Sequence, residues 1–351
     1  MKYITIKEAA EKWGIAQAVL AELCDKKMIE NAATLDGKWI IPKNTKKPSI
    51  CIASSQSKVK PFVKWAGGKG QLIKEIEKYY PFERFGITQY AEPFVGGGAV
   101  LFDILNRYDL ESIYISDTNA ELINTYVIIR DNIEGLIAGL HRLQNEFIPL
   151  DTDKRKLLYL NKREQFNRLK LNGDECVNLE KAILMIFLNK TCFNGLFRVN
   201  SKGLFNVPMG SYKNPLICDE ENLRNISTKL QNVIIKCGDY RQSTDFIDTH
   251  TFVYIDPPYR PLTQTSSFTA YTENSFTDND QKELAQFFDK ISSKGAKIVA
   301  SNSDPKNVDE NDDFFDNLYS DYNIKRVQAS RMINRNGSGR GKINELIITN
   351  F

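Results

Sequence analysis

Histidine is scarce: His141 and His250 are the only two in 351 residues, far apart and without ligand-type spacing around either. Chemistry built on histidine clusters, and a metal site of that kind, is therefore not expected. Cysteine is sparse too. Cys24, Cys51, Cys176, Cys192, Cys218 and Cys237 include no Cys-x-x-Cys pair, which excludes the usual zinc and disulfide frameworks and leaves reduced, structural thiols. No apolar run approaches the roughly 20 residues that span a bilayer. Met1 to Glu8 lacks the long apolar core of a signal peptide, so a cytoplasmic protein without a membrane partner is the expectation. Repeats and low-complexity tracts are also missing. The formal net charge of +3, from 47 basic and 44 acidic residues, is only a weak push toward a polyanionic partner.

What is present divides into a small module and a larger body. In residues 1–48, Thr5 can cap a helix with Glu8 as its capping-box partner, and Ala9, Ala10 and Trp13 give that helix an apolar face before Gly14. A second helix is predicted from Gln17 to Lys26, and Leu35-Asp36-Gly37-Lys38 reads as a tight hairpin turn into the strand Trp39-Ile40-Ile41. This pattern resembles the winged helix-turn-helix of the MerR and excisionase type. The resemblance implies DNA binding, and a docking or oligomerisation module is the competing reading. Residues 49–60 have the polar composition of a linker, although Ile50-Cys51-Ile52 could pair.

Beyond the linker, short apolar strands alternate with helices, at Gln89–Glu92, Ser112–Ser116, Val233–Lys236, Phe252–Ile255, Lys297–Ala300 and Asn344–Ile348. This predicts an α/β fold with a doubly wound, mostly parallel, Rossmann-like sheet. The helical, charged stretch 121–232 interrupts the alternation as an inserted domain, leaving 61–120 and 233–351 as the catalytic body.

The first strand runs into Pro93-Phe94-Val95-Gly96-Gly97-Gly98 and then an apolar helix. Glycines at a strand-to-helix turn let a ligand approach the backbone and the helix N-terminus. The next strand ends in Asp117, where an acid can accept hydrogen bonds from a ribose diol. An adenosine-containing cofactor is expected. The loop is not the dinucleotide pattern Gly-x-Gly-x-x-Gly; Glu92-Pro93-Phe94-Val95-Gly96-Gly97-Gly98 resembles the first cofactor motif of adenine methyltransferases. Lys69 is followed by Gly70 rather than Ser or Thr, so a nucleotide-hydrolase phosphate loop is a poor reading.

The strand Phe252–Ile255 delivers Asp256-Pro257-Pro258-Tyr259 to the carboxyl end of the sheet, where ligands of doubly wound folds bind. The exocyclic amine of adenine is a poor nucleophile because its lone pair is delocalised into the ring. The Asp256 carboxylate can accept one amino hydrogen and the Pro257 carbonyl the other, favouring a pyramidal nitrogen aimed at a methyl donor. Pro258 stiffens the turn, and Tyr259 offers a ring on which an extruded base can stack. No general base is needed before attack, since the proton can leave after transfer.

Taken in order, Lys64-Trp65-Ala66-Gly67-Gly68-Lys69, the glycine loop, Asn194-Gly195-Leu196-Phe197-Arg198, Phe205-Asn206-Val207-Pro208 and Asp256-Pro257-Pro258-Tyr259 resemble the Dam and DpnII type (D12 class, α group) of adenine-N6 DNA methyltransferases. The resemblance spans about residues 60–351. It implies S-adenosylmethionine as cofactor, held by Trp65, Lys69, Glu92, Pro93, Phe94, Gly96, Gly98, Asp117, Asp239, Tyr240 and Asp256. It further implies double-stranded DNA as partner, base flipping, and a DNA-reading hairpin at 193–212 within the recognition domain. Arg198 would read guanine, or else clamp a phosphate, with Leu196 and Pro208 against a thymine methyl. Asn194, Tyr212 and Lys64 complete the DNA set.

For two residues a plainer alternative stays open: Trp65 as a core residue and Asp117 as a helix cap. The implied target is GATC or a related site, and a cognate restriction endonuclease is an implied partner. Ser211 stands where many members carry arginine, which loosens the target inference. The stretch Arg331 to Lys342, with Arg335 and Arg340, reads as a loop that closes over DNA or as a solvated surface loop. A regulator whose methylase half is secondary, or an enzyme acting on cytosine N4, RNA or a protein amide, are the competing functions. Asp rather than Ser or Asn at position 256 argues against the latter group.

Overall fold

Three short strands and two helices make up the first of two units, Met1–Gln56 with Asn106–Asp109. The structure, a computed structural model, describes all residues except 1–2, 14–16, 26–28, 30, 36, 46–57, 66, 172–176, 261–275 and 331–341. Asp36 of the hairpin turn, the Ile50–Ile52 pairing and nearly all of the basic glycine-containing loop at 331–342 therefore lie outside the described residues. In the first unit β1 (Tyr3–Thr5) leads into α1 (Ile6–Trp13), α2 (Gln17–Asp25), β2 (Ala33–Leu35) and β3 (Lys38–Pro42), the strands pairing antiparallel in the order β1-β3-β2. The capping box forms as the sequence predicts: Thr5 Oγ1 accepts from the Glu8 N–H at 3.2 Å and the Glu8 carboxylate accepts from the Thr5 N–H at 2.7 Å. Ala9, Ala10 and Trp13 bury against Leu20, Leu23, Cys24 and Ile41 in a core of their own. Strand β1 was not marked by the sequence pattern.

The second unit, Ser57–Leu105 and Leu110–Phe351, is built on a seven-stranded sheet. Its strands are β4 (Gln89–Glu92), β5 (Ser112–Asp117), β6 (Val233–Cys237), β7 (Thr251–Ile255), β8 (Lys297–Ser303), β9 (Asn323–Ser330) and β10 (Lys342–Thr349), in the order β6-β5-β4-β7-β8-β10-β9. The five strands from β6 to β8 are parallel, and β10 and β9 extend the sheet antiparallel. The expected mostly parallel α/β sheet is thus present. All five residues of β7 are buried, as a strand covered on both faces requires.

Short helices α3 (Ile73–Ile76) and α4 (Phe82–Phe85) precede β4, and α5 (Ala99–Arg107) follows the glycine loop. Between β5 and β6 stand α6 (Ala120–Asp131), α7 (Ile133–Phe147), α8 (Thr152–Leu171), α9 (Leu179–Thr191) and α10 (Glu220–Leu230). Helix α9 is buried along most of its length, Lys181 to Asn189, because α6, α7 and α8 all pack on it. After β7 come α11 (Asp278–Ser293) and α12 (Phe314–Leu318), which bury Leu284, Phe288, Ile291 and Phe315 against the sheet. Among the described residues no helix is long and apolar enough to cross a membrane.

Strand order reverses between β4 and β7. The register sets Glu92 beside Ile115, Asp117 beside Cys237, and Ala91 beside Val253. The carboxyl ends of β4, β5, β6 and β7 therefore emerge together at the switch point, the place where open α/β sheets hold ligands.

Candidate active site

The loop after β4 is shaped by what cannot fit in it. Gly96 and Gly98 have φ of +47° and +74°, and a Cβ at Gly98 would stand 2.5 Å from Tyr126 Oη. At Gly97 it would stand 2.9 Å from the Trp65 Cβ. Glycine is the residue that suits this turn. The Tyr126 hydroxyl donates to the Gly96 carbonyl at 3.1 Å, and the Asp117 carboxylate accepts from the Gly96 N–H at 3.0 Å and from the Asn119 N–H at 2.9 Å. Burial pushes the Asp117 carboxyl up and those N–H groups oppose the shift. The cap of α6 is Asn119, which accepts from Leu122 N, so α6 has its cap without Asp117.

Around the loop, Trp65 stacks on Phe197 with ring centroids 5.2 Å apart, and Phe94 stacks on Tyr240 at 5.2 Å. Asp239 is engaged by Arg241 through Nε at 2.7 Å and Nη2 at 2.9 Å, which holds its carboxyl below the ordinary range. Glu92 is only 2% exposed. It accepts from the Tyr90 hydroxyl at 2.7 Å, and burial raises its carboxyl well above the ordinary range. Pro93, between Glu92 and Phe94, is buried.

The tetrad is fixed from several sides. The Lys69 ammonium, 4% exposed, lies 2.8 Å from Asp256 Oδ1, donates to the Gly67 carbonyl at 2.7 Å, and sits 4.6 Å from the centre of the Tyr259 ring. Asp256 Oδ1 is buried and takes no hydrogen bond of ordinary geometry among the described residues, where the ion pair with Lys69 is what balances it. Burial pushes Asp256 up to about 6, with Lys69 opposing. Pro257 is buried and Pro258 exposed. The Pro258 carbonyl accepts from Gln281 Nε2 at 3.2 Å, and Gln281 Oε1 in turn accepts from Asn302 Nδ2 at 3.1 Å. Both amides are buried. The Tyr259 hydroxyl donates to Glu345 at 2.7 Å. Next along the chain, Arg260 is paired bidentately with Asp278 and also with Asp312.

The hairpin is built differently. Asn194 has a left-handed φ of +56°, which Asn tolerates better than most residues. Val199 bridges Phe205, and the turn Asn200–Gly203 closes the hairpin. Helix α8 grips the returning strand: Tyr159 donates to the Val207 carbonyl at 2.8 Å, Asn167 exchanges two bonds with Phe205, and Arg155 donates to the carbonyls of Tyr212 and Lys213. Phe197 and Phe205 are buried beneath, while Asn194, Arg198 and Pro208 are exposed and Leu196 is half-buried. Arg198 Nε donates to Asn206 at 2.8 Å. The Lys64 ammonium lies 5.4 Å from the centre of the Tyr212 ring. Its chain runs along Gly195, where a Cβ would meet Lys64 Cδ at 2.5 Å.

Lys69, Asp256 and Tyr259 thus converge, as do Trp65 with the glycine loop and Lys64 with the hairpin. Asp239 stands apart in facing Arg241. Sequence reasoning missed Asn189, Gln281, Asn302 and Glu345. Asn189, 2% exposed, accepts from Lys64 N at 2.9 Å and donates to the carbonyls of Lys64 and Gly195 at 2.8 and 3.0 Å. The available signal was a polar residue ending the apolar run Ala182–Leu188, and an acid entering the apolar run Leu346–Ile348.

Residues 65–333 match the family described as D12 class N6 adenine-specific DNA methyltransferase. Type II methyltransferase M.MjaIII of Methanocaldococcus jannaschii is 49% identical over 296 residues, 84% of this chain and 99% of that protein. Type II methyltransferase M1.LlaDCHI of Lactococcus lactis subsp. cremoris is 39% identical over 84% of this chain and 96% of its own length. The DNA adenine methylase of Escherichia coli (strain K12) is 33% identical over 83% of this chain and 95% of its own length.

Proposed function

This chain belongs to the D12 class of N6 adenine-specific DNA methyltransferases, and we propose that it draws the methyl group from S-adenosylmethionine and receives a flipped adenine against Asp256, Pro257, Pro258 and Tyr259. DNA adenine methylation is its activity. The convergence of Lys69, Asp256 and Tyr259 beside the glycine loop is the observation that carries the proposal.

The residues present fit such a donor. Gly96 to Gly98 carry no side chain of their own, Asp256 Oδ1 is buried against the Lys69 ammonium, and Asp117 presents carboxylate oxygens suited to a ribose diol. Trp65, Glu92, Pro93, Phe94, Asp239 and Tyr240 complete the set that would hold it. When bound, S-adenosylmethionine supplies an electrophilic methyl group on a sulfonium. The protein's part is to orient the amine. Asp256 accepts one N6 hydrogen and the Pro257 carbonyl the other, weakening conjugation into the ring. Lys69 keeps Asp256 ionised at neutral pH, and Tyr259 stacks the base.

In the DNA set, Arg198 reads guanine through its two terminal amino groups, because the bond to Asn206 uses only Nε. Leu196 and Pro208 contact a thymine methyl; Lys64, Asn194 and Tyr212 border the site. The target is GATC or a related sequence, with Ser211 as the position that distinguishes it. The 121–232 segment acts as the recognition domain, and the naming of two relatives as type II methyltransferases supports a companion restriction endonuclease. The N-terminal unit, a two-helix module with a three-stranded sheet, adds DNA affinity as a winged helix-turn-helix. Deleting it should weaken DNA binding and leave cofactor binding unchanged; unchanged DNA affinity would assign it to docking instead.

Labelled methyl transfer to duplex DNA, with nucleoside analysis of the product, tests the whole reading. Asp256→Ala should abolish N6-methyladenine with the fold intact. Full activity in that variant would sink the mechanism.

A further inference from the structure

Tyr259 is anchored at its far end by a residue from the antiparallel part of the sheet. Its hydroxyl donates a 2.7 Å hydrogen bond to Oε2 of Glu345. Glu345 sits on β10, opposite Ser303 of β8 and Val327 of β9, so its backbone is paired on both sides. The next three residues, Leu346 to Ile348, are 0–1% exposed. Glu345 itself is half-buried at the start of that run. It also sets a second negative charge near Asp256, which works against ionisation of the tetrad. A strand that needed only packing would be better served by an apolar residue. The one hydrogen-bond partner the carboxylate takes among the described residues is the Tyr259 hydroxyl. With Lys69 over the ring face and Glu345 at its tip, both the position and the tilt of the ring are fixed before any base arrives.

We propose that Glu345 is a positioning residue for adenine transfer, holding the Tyr259 ring at the tilt on which the extruded base stacks. The proposal rests on the reading of Tyr259 as the stacking surface. A charge-assisted bond from a phenol to a carboxylate is short and directional, and a ring released from it would leave the base misaligned with the Asp256 carboxylate.

The test combines single-turnover methylation kinetics with the fluorescence of 2-aminopurine placed at the target adenine of duplex DNA. Glu345→Ala should lower the transfer rate roughly tenfold to a hundredfold and reduce the fluorescence rise on binding. Affinities for S-adenosylmethionine and DNA should stay within about twofold, since neither is made through the phenol. Glu345→Gln, which keeps an acceptor oxygen, should recover most of the rate. Tyr259→Phe should cost about as much as Glu345→Ala, and the double variant no more than either alone. Additive losses, a Glu345→Gln as slow as Glu345→Ala, or an unchanged rate in Glu345→Ala would each overturn the proposal. Should Glu345→Ala fail to fold, the cycle of Tyr259→Phe with Glu345→Gln carries the same test, with Tyr259→Phe at the full wild-type rate overturning it. Tyr259→Ala separates the two readings. Normal transfer and fluorescence there would remove the stacking role itself, whereas a defect there beside a normal Glu345→Ala would remove only the positioning role.

Discussion

The tetrad and the hairpin solve opposite problems with the same materials. At the tetrad the functional groups themselves are held: Asp256 by Lys69, the Pro258 carbonyl by Gln281 and Asn302, the Tyr259 hydroxyl by Glu345. At the hairpin it is the backbone that is held, by Tyr159, Asn167 and Arg155 of α8 and by buried Phe197 and Phe205, while Arg198, Asn194 and Pro208 stay exposed. Chemistry is fastest when the reacting geometry exists before the substrate arrives. Reading a duplex needs donors that meet base edges from a rigid carrier. On the proposed function, the reaction rests on buried polar contacts and target reading on surface side chains.

The sharpest way to break the contrast is to remove the acceptor at the tetrad. Asp256→Ala is expected to slow transfer at least roughly a thousandfold, and DNA affinity, if the hairpin carries it as proposed, should change little; a gel-shift titration beside single-turnover kinetics would check both. Asn189 is a joint between the segment that leads to Lys69 and the start of the hairpin, bonded to Lys64 at two backbone atoms and to Gly195. Asn189→Ala leaves buried groups unpaired and should cost about 2–3 kcal/mol of stability, seen as a lower melting temperature together with a raised KM for DNA. An unaltered melting curve would show that the joint is not structural.

The contrast also explains what could be read in the sequence. Strands β4, β5 and β7 were legible because each is a short apolar run closed by a turn, and the tetrad because two prolines end β7 where a doubly wound sheet binds ligands. Strand β9 was not. Asn323-Ile324-Lys325-Arg326-Val327-Gln328 has little of a buried strand's apolar character, since it is an edge strand paired only with β10. Gln281 reads locally as a solvent-facing helix residue, and only the return of β8 brings Asn302 to its side chain. Hydrogen-bonded partners of the tetrad lie 21 to 86 residues from the groups they hold or bridge, and Lys69 lies farther still from Asp256, separations that no local pattern encodes. The hairpin side chains singled out in the sequence, Asn194, Arg198 and Pro208, are exposed in the fold.

A smaller effect is expected from Arg198→Ala, because a surface contact forfeits only itself. If the two terminal amino groups read guanine, discrimination at that base pair should fall by about 1–3 kcal/mol with cognate transfer largely kept. If the residue is a phosphate clamp, affinity should fall alike on all sequences and the salt slope should decrease by about one. Methylation rates on a panel of singly altered sites, at two salt concentrations, separate the outcomes.

The mildest perturbation is pH, and it bears on the tetrad alone. In the proposed mechanism Asp256 accepts the amino hydrogen as a carboxylate, and burial places its carboxyl at about 6. The kcat/KM profile should therefore show an acid limb near pH 6. Lys69 lowers that value, whereas Glu345 raises it; Glu92, Tyr254 and Tyr259 also face the carboxylate. Lys69→Met should move the limb to higher pH. Stability runs the other way. A carboxyl raised above its ordinary value of 3.8 contributes stability that is present at lower pH and lost as pH rises through about 6. Between pH 6 and 4, then, transfer should fade while this group makes the fold no weaker. Melting temperatures across the same interval distinguish protonation of Asp256 from acid unfolding: a limb that tracks loss of the folded state would assign the pH dependence to the scaffold and not to the tetrad.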